Sequence, residues 1–166
     1  MTVKAQYAPV MSVKENYQKE LQVRGFQSDP AQLRAIDALE RCANEWAAYK
    51  EKRSNKLKKL INRPPIPRGV YMYGGVGRGK SFLMDCFFDA VPIQRKTRLH
   101  FHEFMREVHR ELRALQGTVN PLDVLGKQIS QRYKLICFDE FHVADITDAM
   151  ILHRLLDALF DNGVGF

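Results

Sequence analysis

The sequence predicts an α/β fold, an open parallel sheet with helices on both faces, preceded by a helical N-terminal segment. Three observations carry this. Short apolar runs that suit strands alternate with segments of helical periodicity, and such alternation calls for crossover connections and a parallel sheet. The first run opens onto a glycine-rich loop, "YGGVGRGKSF". A later run, "LICFDE", ends in two adjacent acids.

The elements follow in order. Up to Gly25 the periodicity is weak, with Tyr7, Val10, Met11, Tyr17 and Leu21 as the larger apolar residues, which predicts an extension and a short helix. Ser28 or Asp29 then caps a helix with Pro30 in its first turn, and Leu33, Ile36, Leu39 (or Ala43), Trp46 and Tyr49 form its apolar stripe. "NRPPIPRG", Asn62 to Gly69, reads as an extended linker. Val70 to Tyr73 is β-branched and aromatic, as a buried strand should be. Phe82, Leu83, Cys86 and Phe87 recur at helical spacing until Pro92. "RLHFH", Arg98 to His102, alternates like a strand, and Phe104, Val108, Leu112 and Leu115 continue as a helix up to Gly117. Asn120 and Pro121 begin another helix. Leu135 to Phe138 is an apolar strand, and Asp145 and Asp148 open a helix whose apolar face uses Ile146, Met150, Leu155 and Leu159. Val164 to Phe166 looks like the start of a fourth strand. The expected domains are a helical extension with a basic linker over 1–65 and a nucleotide-binding core over 66–166.

The chain of 166 residues fits one domain with a substantial core. No apolar run is long enough to span a membrane, and Met1 to Glu20 mixes Lys4 and Lys14 with Glu15 and Glu20 around no apolar signal core, so a cytoplasmic setting is expected. Cys42, Cys86 and Cys137 form no C-x-x-C pair and read as buried thiols in a reducing compartment. The net charge of +7 is concentrated between Lys50 and Arg68, where Glu51 is the one acid among eight basic residues. Such a run can meet an acidic protein, lipid or nucleic acid, or simply remain solvated.

Gly74, Gly79, Lys80 and Ser81 satisfy G-x-x-x-x-G-K-[ST], the Walker A pattern, in its required place after a predicted strand and before a predicted helix. Glycines let backbone N–H groups converge on phosphate oxygens, and the helix N-terminus adds partial positive charge. The expected nucleotide-binding segment is therefore Gly74, Gly75, Val76, Gly77, Arg78, Gly79, Lys80, Ser81 and Phe82. Lys80 should reach the β- and γ-phosphates of ATP, and the Ser81 hydroxyl should ligate Mg²⁺. An apolar strand ending in Asp139 is the matching Walker B element, which makes Asp139 the metal-side acid and Glu140 the group that polarises the attacking water. Lys80 and Glu140 are the expected catalytic residues. Adjacent Asp and Glu favour ATP hydrolysis of the "additional strand" type over a kinase or GTPase, since neither an acceptor site nor a guanine-reading motif is evident.

Two other constellations carry less. His100, His102, Glu103, His109 and His142 match no recurring zinc spacing. "DEFH", Asp139 to His142, has the form of a DExH helicase box, and Gln32 could be an adenine-reading glutamine. No second helicase motif lies between the two boxes, however, so a nucleic-acid-dependent ATPase is the alternative and nucleic acid is not the expected partner. A non-catalytic interaction fragment is the other alternative, with the N-terminal arm and basic run docking on a partner.

The segments "GVYMYGGVGRGKSFLMDCFF", "RLHFHEFMREVH", "ALQG" and "LICFDEFHVADITDAMILHRLLDALFDNGV" closely resemble the ZapE / AFG-like ATPases, from about Val10 onward. The resemblance implies an AAA+-like P-loop NTPase with a three-layer sandwich, using ATP and Mg²⁺ through Lys80, Ser81, Asp139 and Glu140. It also implies a protein partner such as the tubulin-like division protein FtsZ, self-association into a ring, and at most peripheral membrane contact. The N-terminus lacks an Arg- and Ser-rich presequence, which favours the bacterial branch over the mitochondrial one. Family members continue into a sensor strand and arginine-finger residues beyond the position of Phe166. The chain therefore reads as the N-terminal part of a longer ATPase, C-terminally incomplete, and is expected alone to hydrolyse little or no ATP.

Overall fold

The computed structural model describes residues 11–74 and 79–166. The chain forms two compact units, one from the residues up to Asn62 together with Val70–Pro92, the other from Arg63–Gly69 together with Ile93–Phe166.

In the first unit, α1 (Val13–Arg24) begins with a reciprocal cap. The Glu15 amide donates to Ser12 Oγ at 3.2 Å, and the Ser12 amide donates to Glu15 Oε2 at 2.9 Å. It ends at Gly25, whose φ of 65° belongs to the left-handed region. Its buried stripe is the narrow set Val13, Tyr17 and Leu21, which is why the sequence shows little periodicity here. Asp29 caps α2 (Pro30–Lys52) through the Ala31 amide at 2.7 Å, with Pro30 in the first turn as expected. Ile36, Leu39, Ala43, Trp46 and Tyr49 are buried and Cys42 joins them, whereas Leu33 is exposed. The basic run adds a short helix, α3 (Lys56–Ile61), capped by Asn55, with Leu57, Leu60 and Ile61 exposed.

The helix after the glycine loop, α4 (Lys80–Ala90), packs on both α1 and α2. Phe82 lies 5.7 Å from the Tyr17 ring and 6.4 Å from that of Phe26, with the Arg24 guanidinium over it. Asn16 Nδ2 donates to the Cys86 carbonyl. The expected strand at Val70–Tyr73 is not formed: the segment lacks strand pairing, and Tyr71 and Tyr73 are exposed with their rings stacked. Strand propensity expresses packing against a paired neighbour, and no strand among the described residues pairs with this segment.

The second unit holds two parallel strands, β1 (Lys96–His100) and β2 (Leu135–Asp139), in a register that sets Arg98 opposite Cys137 and His100 opposite Asp139. Leu135, Ile136 and Cys137 are all buried, as a strand covered on both faces requires. The strand expected to run through His102 stops at His100. There α5 (Phe101–Ala114) takes over, because Phe101, Phe104, Met105 and Val108 bury at helical spacing. Next come α6 (Pro121–Arg132), entered through Asn120 at a left-handed φ of 51°, and α7 (Ile146–Asp161), capped by Asp145 on the Thr147 amide at 2.6 Å.

Ile146 and Met150, expected on the apolar face of α7, are exposed, and the buried set is Leu152, Leu155, Ala158 and Leu159. These residues join α5, α6, Ile136 and Val164 in one core. Beyond α7, Gly165 makes a single parallel bridge to Leu135. The Ile136 amide donates to the Gly165 carbonyl and the Gly165 amide to the Lys134 carbonyl, each at 2.9 Å, along the edge of β2 that β1 leaves open. The fourth strand expected at Val164–Phe166 thus appears as a bridge. A sheet of two named strands with a third segment bridged to it is what the described residues contain of the anticipated sandwich.

Candidate functional site

On the phosphate side, Gly79 is the N-cap of α4 at φ 71°, a conformation that disfavours any side chain. A Cβ there would also come within 2.9 Å of Gln32 Nε2, so Gly79 itself lies close against α2. The Lys80 ammonium folds back and donates to the Gly74 carbonyl at 2.8 Å, linking the two ends of the motif. Gly75, Val76, Gly77 and Arg78 lie outside the described residues. Phe82 is buried with its ring among Tyr17, Phe26 and Arg24, which leaves only its backbone to face a phosphate. Gln32, which the sequence offered only as an adenine-reading glutamine of the helicase alternative, stands beside Gly79. Its Oε1 accepts from the Tyr17 hydroxyl at 3.0 Å, and its amide nitrogen is the group set against Gly79.

The acids are in the other unit. Asp139 ends β2, and Arg98 grips it side-on, Nε donating to Oδ2 at 2.7 Å and the outer guanidinium nitrogen to Oδ1 at 3.3 Å. Both side chains are largely buried, at 22% and 17% exposure. Glu140 follows at a left-handed φ of 52°, its carboxylate exposed and 3.8 Å from His100 Nδ1. One face of β1, carrying Arg98 and His100, therefore presents a basic group to each acid in turn, because successive same-face residues of a strand are two apart. The signal for Arg98 was present as a cation at an alternate position of the strand, two residues from Lys96. Its meaning depends on the parallel register, which the sequence does not state.

Of the other histidines, His102 rests beside His100 and His109 pairs with Asp148 at 2.6 Å. A cavity of about 300 Å³ over β1, lined by Leu99, Phe104, Val108 and Leu125 with Glu103 and Glu107, contains none of the expected site residues. No helix among the described residues is long and apolar enough to cross a membrane.

Ser81 in one unit and Asp139 in the other each offer hard oxygen atoms of the kind Mg²⁺ takes. Among the described residues no three His, Cys, Asp or Glu side chains converge into a protein-only cage. Mg²⁺ keeps several waters and is held by one or two carboxylates together with the substrate's phosphates.

A Walker A loop opening a helix at its lysine, and a buried parallel strand delivering an acid at its carboxyl end, are the marks of the P-loop nucleoside triphosphatase class. Within that class the chain belongs to the AFG1-like ATPase family, whose model matches residues 11–166. It is 55% identical over 97 residues to the cell division protein ZapE of Escherichia coli K12, an alignment covering 58% of this chain and 26% of the relative. An uncharacterized protein of Schizosaccharomyces pombe is 34% identical over 184 residues, covering 90% and 40% of the two chains. Lactation elevated protein 1 homolog B of Danio rerio is 42% identical over 114 residues, covering 62% and 23%. The chain thus spans well under half the length of these curated relatives. No solved structure matches it.

Proposed function

We propose that the protein binds ATP with Mg²⁺ and hydrolyses it, and that turnover drives remodelling of a protein assembly. The observation that carries this reading is the Lys80 ammonium drawn over the Gly74 carbonyl at the head of a glycine-capped helix, in a chain of an ATPase family. Lys80 would exchange that carbonyl for β- and γ-phosphate oxygens, a stronger, charge-assisted partner. The α4 N-terminus adds its dipole. Ser81 and Asp139 would hold Mg²⁺, which when bound neutralises charge building on the phosphates. Glu140, exposed at the end of β2, is the base that orients and polarises a water. That the E. coli relative is a cell division protein supports a place in cell division. The partner in this reading is a tubulin-like division protein such as FtsZ, met in the cytoplasm.

Phosphate release by the full-length protein tests the assignment. Lys80→Ala should abolish nucleotide binding and turnover. Glu140→Gln should lower turnover by about 10²-fold or more while still holding ATP, since it leaves the phosphate and metal contacts in place. Unchanged hydrolysis in both variants would defeat the site.

A further inference from the structure

We infer that Arg98 is a resident counter-cation at the metal-side acid, which makes metal binding at Asp139 depend on nucleotide. The inference rests on the ATPase reading above and deepens it. Two N–H groups of Arg98 already occupy both oxygens of Asp139, at 2.7 and 3.3 Å. The pair is largely withdrawn from water, at 22% and 17% exposure, so it is screened less than a surface pair. Register reinforces it. Arg98 stands opposite Cys137, two residues before Asp139, and its side chain leans along β1 to the carboxyl end of β2. An arginine cannot shed its charge in a protein, so this cation leaves the carboxylate only by moving.

A divalent ion approaching Asp139 alone meets a guanidinium on the same carboxylate, and two cations then compete for one negative charge. Triphosphate changes the balance by bringing several negative charges to the same place, enough for metal and arginine together. Arg98 is thus a positioning residue acting through Asp139, and its effect should appear in metal binding without any turnover.

The test measures Mn²⁺ by electron paramagnetic resonance on the full-length protein, with and without ATP. Arg98→Met should tighten Mn²⁺ binding in the absence of nucleotide by about tenfold, the change that 1.4 kcal/mol produces, and should alter Mn²⁺ binding with ATP far less. Arg98→Lys, which keeps the charge and loses the side-on fork, should give a smaller gain and carries the test if Arg98→Met does not fold. Adding Asp139→Asn should erase either gain. If the folded variants bind Mn²⁺ alone no more tightly than the parent, the inference is overturned. If Asp139→Asn by itself leaves Mn²⁺ binding with ATP unchanged, the failure belongs to the ATPase site assignment, and Arg98 guards no metal.

Discussion

At the scale of single residues, the two thiols in the first unit are held by burial. Desolvation pushes Cys42 and Cys86 up from 9.0 to about 11, with nearby acids adding to it and Arg41 or Arg24 opposing it. The folded state therefore favours the protonated thiols. Their contribution to stability is fully present below pH 9 and is lost as pH rises toward 11. Urea midpoints should hold steady up to about pH 8.5 and fall toward pH 10.5, and alkylation at pH 8 should spare both thiols until denaturant is added. In the second unit, Leu155 has no exposed surface, so Leu155→Ala should cost about 2–5 kcal/mol by urea unfolding. Its burial was legible from helical spacing. The exposure of Ile146 and Met150 was not, because their apolar character is the same whichever side of α7 the core occupies.

Among the elements, helix starts were the most readable features. Asp29 with Pro30, Asn120 with Pro121, and Asp145 each mark a helix start that the structure contains, since the Asp29 and Asp145 caps and the fixed φ of Pro30 and Pro121 are local. The segment Val70–Tyr73 misled for the opposite reason: a strand exists only through its neighbours, and these were not in view. The packing of α6 on α7 likewise hides in a residue that looks unremarkable within a helix. A Cβ on Gly126 would meet that of Ala158 at 2.7 Å, so glycine here permits the close approach of the two helices. Gly126→Ala gains about 1 kcal/mol of helix propensity and loses about 1–3 kcal/mol to overpacking. A net loss of up to about 2 kcal/mol is expected by chemical denaturation, recovered in part when Ala158→Gly is added.

At the scale of the whole molecule, the family was legible in the sequence because its motifs have fixed spacing, while the packing around them was not. The helix that follows the glycine loop buries Phe82, Leu83, Cys86 and Phe87 in a unit it shares with α1 and α2. A chain shortened to begin at Ile66 would strip that cover from α4. It should bind a hydrophobic dye and aggregate where the longer chain does not, and a soluble, cooperatively melting product would refute this account of the N-terminal helices. Asn16 and Tyr17, which hold α4 from α1, carry no motif that would single them out.

The left-handed backbone of Glu140 has a practical consequence. A glutamate there gives up about 1 kcal/mol relative to residues at ease in that region, of which asparagine and glycine are the chief examples. Glu140→Asn should therefore melt above both the parent and Glu140→Gln, while lacking the same carboxylate. The position therefore offers a sturdier form of the protein that lacks the Glu140 carboxylate, with a melting curve as the check.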